Sequence, residues 1–206
     1  MTENFRPTVL RNRALDALKG KWGTVVTPGI IYIIIGIIPF FWIDSAIWLV
    51  YLFNWLIVAP LGVGLYFLFW DVLKGKEVNL QTMFEAFAKY GQYITLILLV
   101  FIYIFLWSLL LIVPGMIKGL SYAMSYYIMR ENPDMSGEQV ICRSMKMMEG
   151  HKMDLFLLSL SFIGWSLLSI LTLGIGLIWL IPYMLTAYAA FYDTLKKEYE
   201  AKTAVA

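Results

Sequence analysis

The stretch "GTVVTPGIIYIIIGIIPFFW", residues 23–42, carries no charged side chain. A helix on the surface of a water-soluble domain needs a polar face, and this one has none to offer. At about 1.5 Å of rise per residue, roughly 20 apolar residues match the hydrocarbon layer of a bilayer. Apolar blocks recur at 45–70, about 92–113, 116–129, 153–172 and about 175–192; the fourth is short and holds Lys118. The chain is therefore expected to be an all-α, polytopic bundle of six transmembrane helices, one integral membrane domain over residues 1–206. Its charged fraction of 15% agrees, against about 25% in soluble proteins. A β-barrel would need short alternating segments, which are absent. The first block is too long for a secretory signal and "PFFWIDS" lacks a small-x-small cleavage pattern, so it is expected to remain as a span.

Lys and Arg fall almost wholly into alternate connections. Fifteen of the sixteen lie before the first block, between the second and third, between the fourth and fifth, or after the sixth. The exception is Lys118. The positive-inside rule then places both termini in the cytoplasm, with short outer loops at about 43–44, 113–116 and 172–175.

Three amphipathic stretches lie on the predicted cytoplasmic side. Between 80 and 90, Leu80, Met83, Phe84, Phe87 and Tyr90 share one helical face, opposite Gln81, Thr82, Glu85 and Lys89, with Asn79 as N-cap. After Pro133, Ser136 and Gln139 are spaced as a capping box. There Val140, Ile141, Met145, Met147 and Met148 oppose Cys142, Arg143, Lys146 and Glu149. The N-terminal counterpart sets Leu10, Ala14, Leu15, Ala17 and Leu18 on one arc, into which Arg11 intrudes. Such helices are expected to lie in the headgroup layer against anionic lipid.

These elements read as one unit used three times, over approximately 7–74, 79–131 and 136–196. "LWSLLLI" matches "GWSLLSI", and "FWDVLK" matches "FYDTLK". At an offset of 61 residues, Tyr66, Tyr127 and Tyr188 align. Pro60, Ser121 and Pro182 do so too, as do Asp71, Asn132 and Asp193. Two spans per unit give the copies one orientation, unlike the inverted repeats of many transporters.

Catalytic chemistry finds little material. Cys142 and His151 are single residues of their type, too few for a clustered metal site, and no third group orients them as a catalytic pair. The glycines of "GVGLYF" and "LGIG" lie in apolar blocks rather than in a phosphate-binding loop. No enzyme activity, cofactor, metal or nucleic-acid partner is expected. Six residues stand out as candidates for an intramembrane or pore-lining role. Asn54 lies inside the second block, and Lys118 and Asp44 are the sole outer cation and anion. Tyr66, Tyr127 and Tyr188 form either a ring around a cavity or an aromatic belt. For Lys118 the structural reading, snorkelling outward and pairing with Asp44, is preferred, and for Asn54 an interhelical hydrogen bond.

"LWSLLLIVPGMIKGLSYAMSYYIMRENPDMS", "SMKMMEGHKMDLFLLSLSFIGW" and "TLGIGLIWLIPYMLTAYAAFYDTL" together resemble a family of bacterial integral membrane proteins catalogued only as a domain of unknown function. That family is distantly similar to the membrane domain beside some glycerophosphodiester phosphodiesterases. The resemblance is strongest from about residue 84 to 195. It implies a bacterial inner-membrane protein and brings no catalytic residues. The expected function is that of a non-enzymatic membrane protein working through lipid, a membrane-protein partner or a second copy of itself. The alternative is a small-solute permease or channel with a path along the pseudo-three-fold axis.

Overall fold

The structure, a computed structural model, describes residues 3–42 and 47–205. Asp44 and the first outer loop lie outside them. The described residues are helical with no strand. They comprise α1 (Pro7–Leu18), α2 (Trp22–Ile37), α3 (Ile47–Phe53), α4 (Ala59–Leu73), α5 (Glu85–Ala88), α6 (Tyr90–Leu110), α7 (Ile112–Tyr122), α8 (Ser125–Glu131), α9 (Gly137–Met147), α10 (Lys152–Leu160), α11 (Ile163–Leu171) and α12 (Leu177–Val205).

Three helical stretches are long and apolar enough to cross a membrane: Ile47–Leu73, Tyr90–Leu110 and Lys152–Leu171. A fourth is obtained by joining α1 and α2, which meet at a bend of 101°. Six were expected, and the difference has local causes. α2 has only 16 residues. The fourth block is broken at Ala123–Met124 into α7 and α8. α12 is long, but its apolar first half is rich in tyrosine and carries Pro182, and charge begins at Asp193.

Between α3 and α4 the backbone widens into a π-turn over Asn54–Val58, just before Pro60. Proline has no N–H to give to the carbonyl four residues back. That carbonyl, of Leu56, accepts instead from the Tyr90 hydroxyl at 3.0 Å.

The amphipathic stretches depart from expectation in what their apolar sides meet. Leu10, Ala14 and Leu18 on α1, and Val140, Ile141, Met147 and Met148 at α9, are buried in the protein core rather than turned to lipid. α1 packs on α12 and α4, and α9 packs on α6, α7 and α8. The predicted caps are in place: Asn79 accepts from the Gln81 amide, and Ser136 and Gln139 form a complete capping box. The stretch after Asn79 is not one α-helix, however. It is a 3₁₀ turn, Leu80–Phe84, followed by the single turn of α5, with Lys89 breaking the run before α6. The tighter 3₁₀ winding rotates the face, so Thr82 is buried with Met83 while Leu80 and Phe84 are exposed. This strap lies against α4, where a Cβ on Gly64 would overlap the Met83 carbonyl.

Two helix pairs close on small residues. A Cβ on Gly115 would strike Ser108, and one on Gly176 would strike Ser169, so the glycines let α6 approach α7 and α11 approach the start of α12. These contacts pair Ser108 with Ser169 at a spacing of 61 residues. The match of "LWSLLLI" to "GWSLLSI" had placed Ser108 opposite Ser166.

Candidate functional site

α4, α8 and α12 meet through a cluster of large rings. Tyr127 stacks on Tyr192 at 4.7 Å between centroids, and Trp70 lies edge-on to both, at 5.6 and 5.3 Å. Their exposures are 3% for Trp70, 0% for Tyr127 and 1% for Tyr192, which leaves no water-filled passage between the three helices at that level. Trp70 Nε1 and the Tyr127 hydroxyl have no hydrogen-bond partner among the described residues. Tyr192 is partnered, donating to Glu131 at 2.8 Å.

Beside this plug lies a cavity of about 330 Å³. Tyr66, Tyr127 and Tyr188, the three tyrosines predicted to share a register, all line it, with Tyr126, Ser159 and Gly119. Tyr66 meets Tyr127 edge-on at 5.8 Å, and Tyr188 donates to Ser159 at 3.2 Å. Tyr122 lines it as well, and the remaining walls are apolar, including Val100, Ile104 and Leu155. Such a space suits a small, mostly apolar molecule with one or two hydroxyl contacts.

On the other side of the plug the charged residues gather. Arg130 Nη2 donates to Asp71 at 2.8 Å, its Nε to Glu85 at 3.0 Å and its Nη1 to the Phe67 carbonyl at 3.1 Å. Its guanidinium lies over the rings of Phe67 and Trp70. Arg143 donates to Asn132 at 3.2 Å, and Arg13 donates to Asp193 at 2.9 Å. Each of the three aligned positions, Asp71, Asn132 and Asp193, is thus held by an arginine. Glu131 also takes Lys196 at 2.6 Å. In the sequence Arg13 and Arg130 read only as cations outside the apolar blocks and Arg143 as part of a helix's polar face, since their partners lie 11 to 180 residues away.

The remaining candidates do not join the cavity. The Asn54 amide donates to the Val50 carbonyl one turn back, at 2.9 Å, and is satisfied within its own helix rather than between helices. Lys118 does not turn away from the capped helix α9. Its Nζ lies 4.0 Å from the Met145 sulfur and 4.7 Å from the centre of the Trp107 ring, in a pocket shared with Glu138 and Cys142. Its expected partner Asp44 lies outside the described residues. Cys142 is exposed there, and His151 is buried elsewhere, against the Phe5 ring and between Asp154 at 3.1 Å and Glu198 at 3.3 Å. The cysteine and histidine do not meet.

No curated protein and no solved structure matches the chain, so the distant likeness to the phosphodiesterase-associated membrane domain finds no support there. The family resemblance does, although the matched stretch begins later than residue 84. Residues 109–199 match the model of a family described as "Protein of unknown function (DUF975)", catalogued only as a domain of unknown function.

Proposed function

We propose that the protein is a non-enzymatic integral protein of a bacterial cytoplasmic membrane that acts through lipid or protein partners. The observation that carries this reading is its exterior. Leu110, Ile112, Leu171 and Leu173 are 69, 76, 79 and 94% exposed, part of a broad apolar surface continuing through Phe105, Met116 and Ile163. Water tolerates no such surface on a monomer, whereas lipid or a partner's apolar face does. The arginine-clasped end faces the cytoplasm in this reading, supported by the distribution of Lys and Arg, and carries both termini with it. A three-fold repeat is supported by the tyrosines that share one cavity, the two Ser–Gly close approaches and the three arginine-held positions.

The permease reading draws on one observation, the tyrosine-lined cavity. The Trp70–Tyr127–Tyr192 plug stands against a path along the axis in this conformation. Alkaline-carbonate extraction of membranes from expressing cells tests the preferred reading. The protein stays in the membrane pellet and leaves only with detergent; release into the supernatant contradicts it.

A further inference from the structure

Arg11 occupies the apolar arc of α1, where nothing in the local sequence calls for a cation. Its Nε donates to the Tyr183 hydroxyl at 2.9 Å, and its guanidinium rests over Phe162 at 5.7 Å and Tyr183 at 5.9 Å. Among the described residues neither terminal nitrogen has a hydrogen-bond partner and the side chain forms no ion pair. Beside it opens a groove of about 450 Å³ between α1, the start of α2, α11 and α12. Trp22, Trp165, Leu168 and Trp179 wall this groove, and buried Ser169 and Leu180 floor it. It runs to Thr172, ten residues of mainly helical chain beyond Phe162, or about 15 Å, and to Gly176, whose amide donates to Thr172.

We propose that this groove binds one anionic phospholipid, with the phosphate on the free edge of Arg11 and an acyl chain along the tryptophan walls. Charge complementarity selects the occupant. No carboxylate lines the groove, so the guanidinium's charge is uncompensated, and a phosphodiester matches its fork of donors. The tyrosine beneath and the flat rings around it fix the fork in place, which lowers the entropy lost on binding. Below the charge the walls are apolar, and Trp165, Leu168 and Trp179 are about half exposed and continuous with the outer apolar surface, so a lipid enters sideways without leaving the bilayer. A basic recess between helices at the edge of an apolar slot is how headgroups are held elsewhere. The proposal rests on the reading that the protein sits in a membrane and works through partners.

Native mass spectrometry of the purified full chain, with phosphatidylglycerol or phosphatidylcholine added to the detergent, tests it. The unaltered protein should retain one phosphatidylglycerol in preference to phosphatidylcholine. Arg11→Gln should weaken phosphatidylglycerol about tenfold and phosphatidylcholine by less, since choline already offsets the charge of the same phosphodiester. Leu168→Trp fills the groove from a half-exposed wall on a different helix and should weaken both lipids. Lys19→Gln, an exposed cation on the turn after α1, should change nothing. Equal losses from Lys19→Gln and Arg11→Gln would overturn the site, as would undiminished retention by both groove variants. Lipid binding elsewhere would still stand in those cases. Retention of neither lipid by the unaltered protein would overturn the site and the lipid-partner reading together.

Discussion

Arg13 on α1 donates to Asp193 on α12 across 2.9 Å, joining residues 180 positions apart and closing the first helix onto the last. The same guanidinium donates to the Thr194 hydroxyl at 2.8 Å, and Lys197 reaches Asp193 from the next turn at 3.1 Å. Burial raises the pKa of Asp193, but the hydrogen bonds from Arg13 and Lys197 outweigh it and hold the carboxyl below the usual range.

Arg13→Ala should lower stability by about 1–2 kcal/mol, less than a fully buried charged contact because both partners are partly exposed. A folded-state pKa below the unfolded one gives stability that is complete above the unfolded value of about 4. That stability is lost as pH falls through the lower folded value. Thermal unfolding in detergent between about pH 6 and 3 should therefore show a steeper acid loss in the unaltered protein than in the variant. Parallel curves would contradict this.

The two Ser–Gly contacts leave no room for a methyl group. Gly115→Ala and Gly176→Ala should each cost about 1–3 kcal/mol, the range for overpacking a tight contact. Gly119→Ala is the matched control: its added carbon meets only Ile104 at 3.8 Å, an ordinary contact. Within a helix that change should be neutral or stabilising by up to about 1 kcal/mol. Thermal melts of the three variants check the ordering.

Within the plug, two tyrosines should respond with opposite signs to loss of a hydroxyl. Tyr127→Phe removes a buried group with no partner among the described residues and should stabilise, by about 1–3 kcal/mol at most. Tyr192→Phe removes the bond to Glu131 and should destabilise by about 1.5–3 kcal/mol. Destabilisation by Tyr127→Phe would mean that the hydroxyl holds something in the cavity, and would strengthen the permease reading.

What was legible in the sequence was local or periodic. The capping box at Ser136 and Gln139 depends on residues three apart, and it formed as expected. Tyr66, Tyr127 and Tyr188 align at a spacing of 61 residues and line one cavity, but that spacing alone reads equally as an aromatic belt. Hydrophobic patterning identified the apolar arcs of α1 and α9, but an apolar arc looks the same whether lipid or protein covers it. Here protein does. The 3₁₀ strap was missed because side-chain pattern at 100° per residue assumes the winding it sets out to test. Lys118 was assigned by loop counting, which cannot see that its long side chain lies beside Met145 on α9. The arginine clasps were illegible because each depends on a partner brought close only by tertiary packing, as with Arg130 and Asp71, 59 residues apart.

The most direct measurement is thiol accessibility at the cavity wall. Ser159→Cys, made with Cys142→Ser and reconstituted into vesicles, would be exposed to a membrane-impermeant maleimide from each side in turn. The unaltered protein, with its exposed Cys142, serves as the labelled control. A protein that works through partners, with its interior sealed by Trp70, Tyr127 and Tyr192, leaves position 159 unlabelled from both sides. Rapid labelling from either side would mean that water enters the bundle, and a solute path would then replace the partner-binding reading.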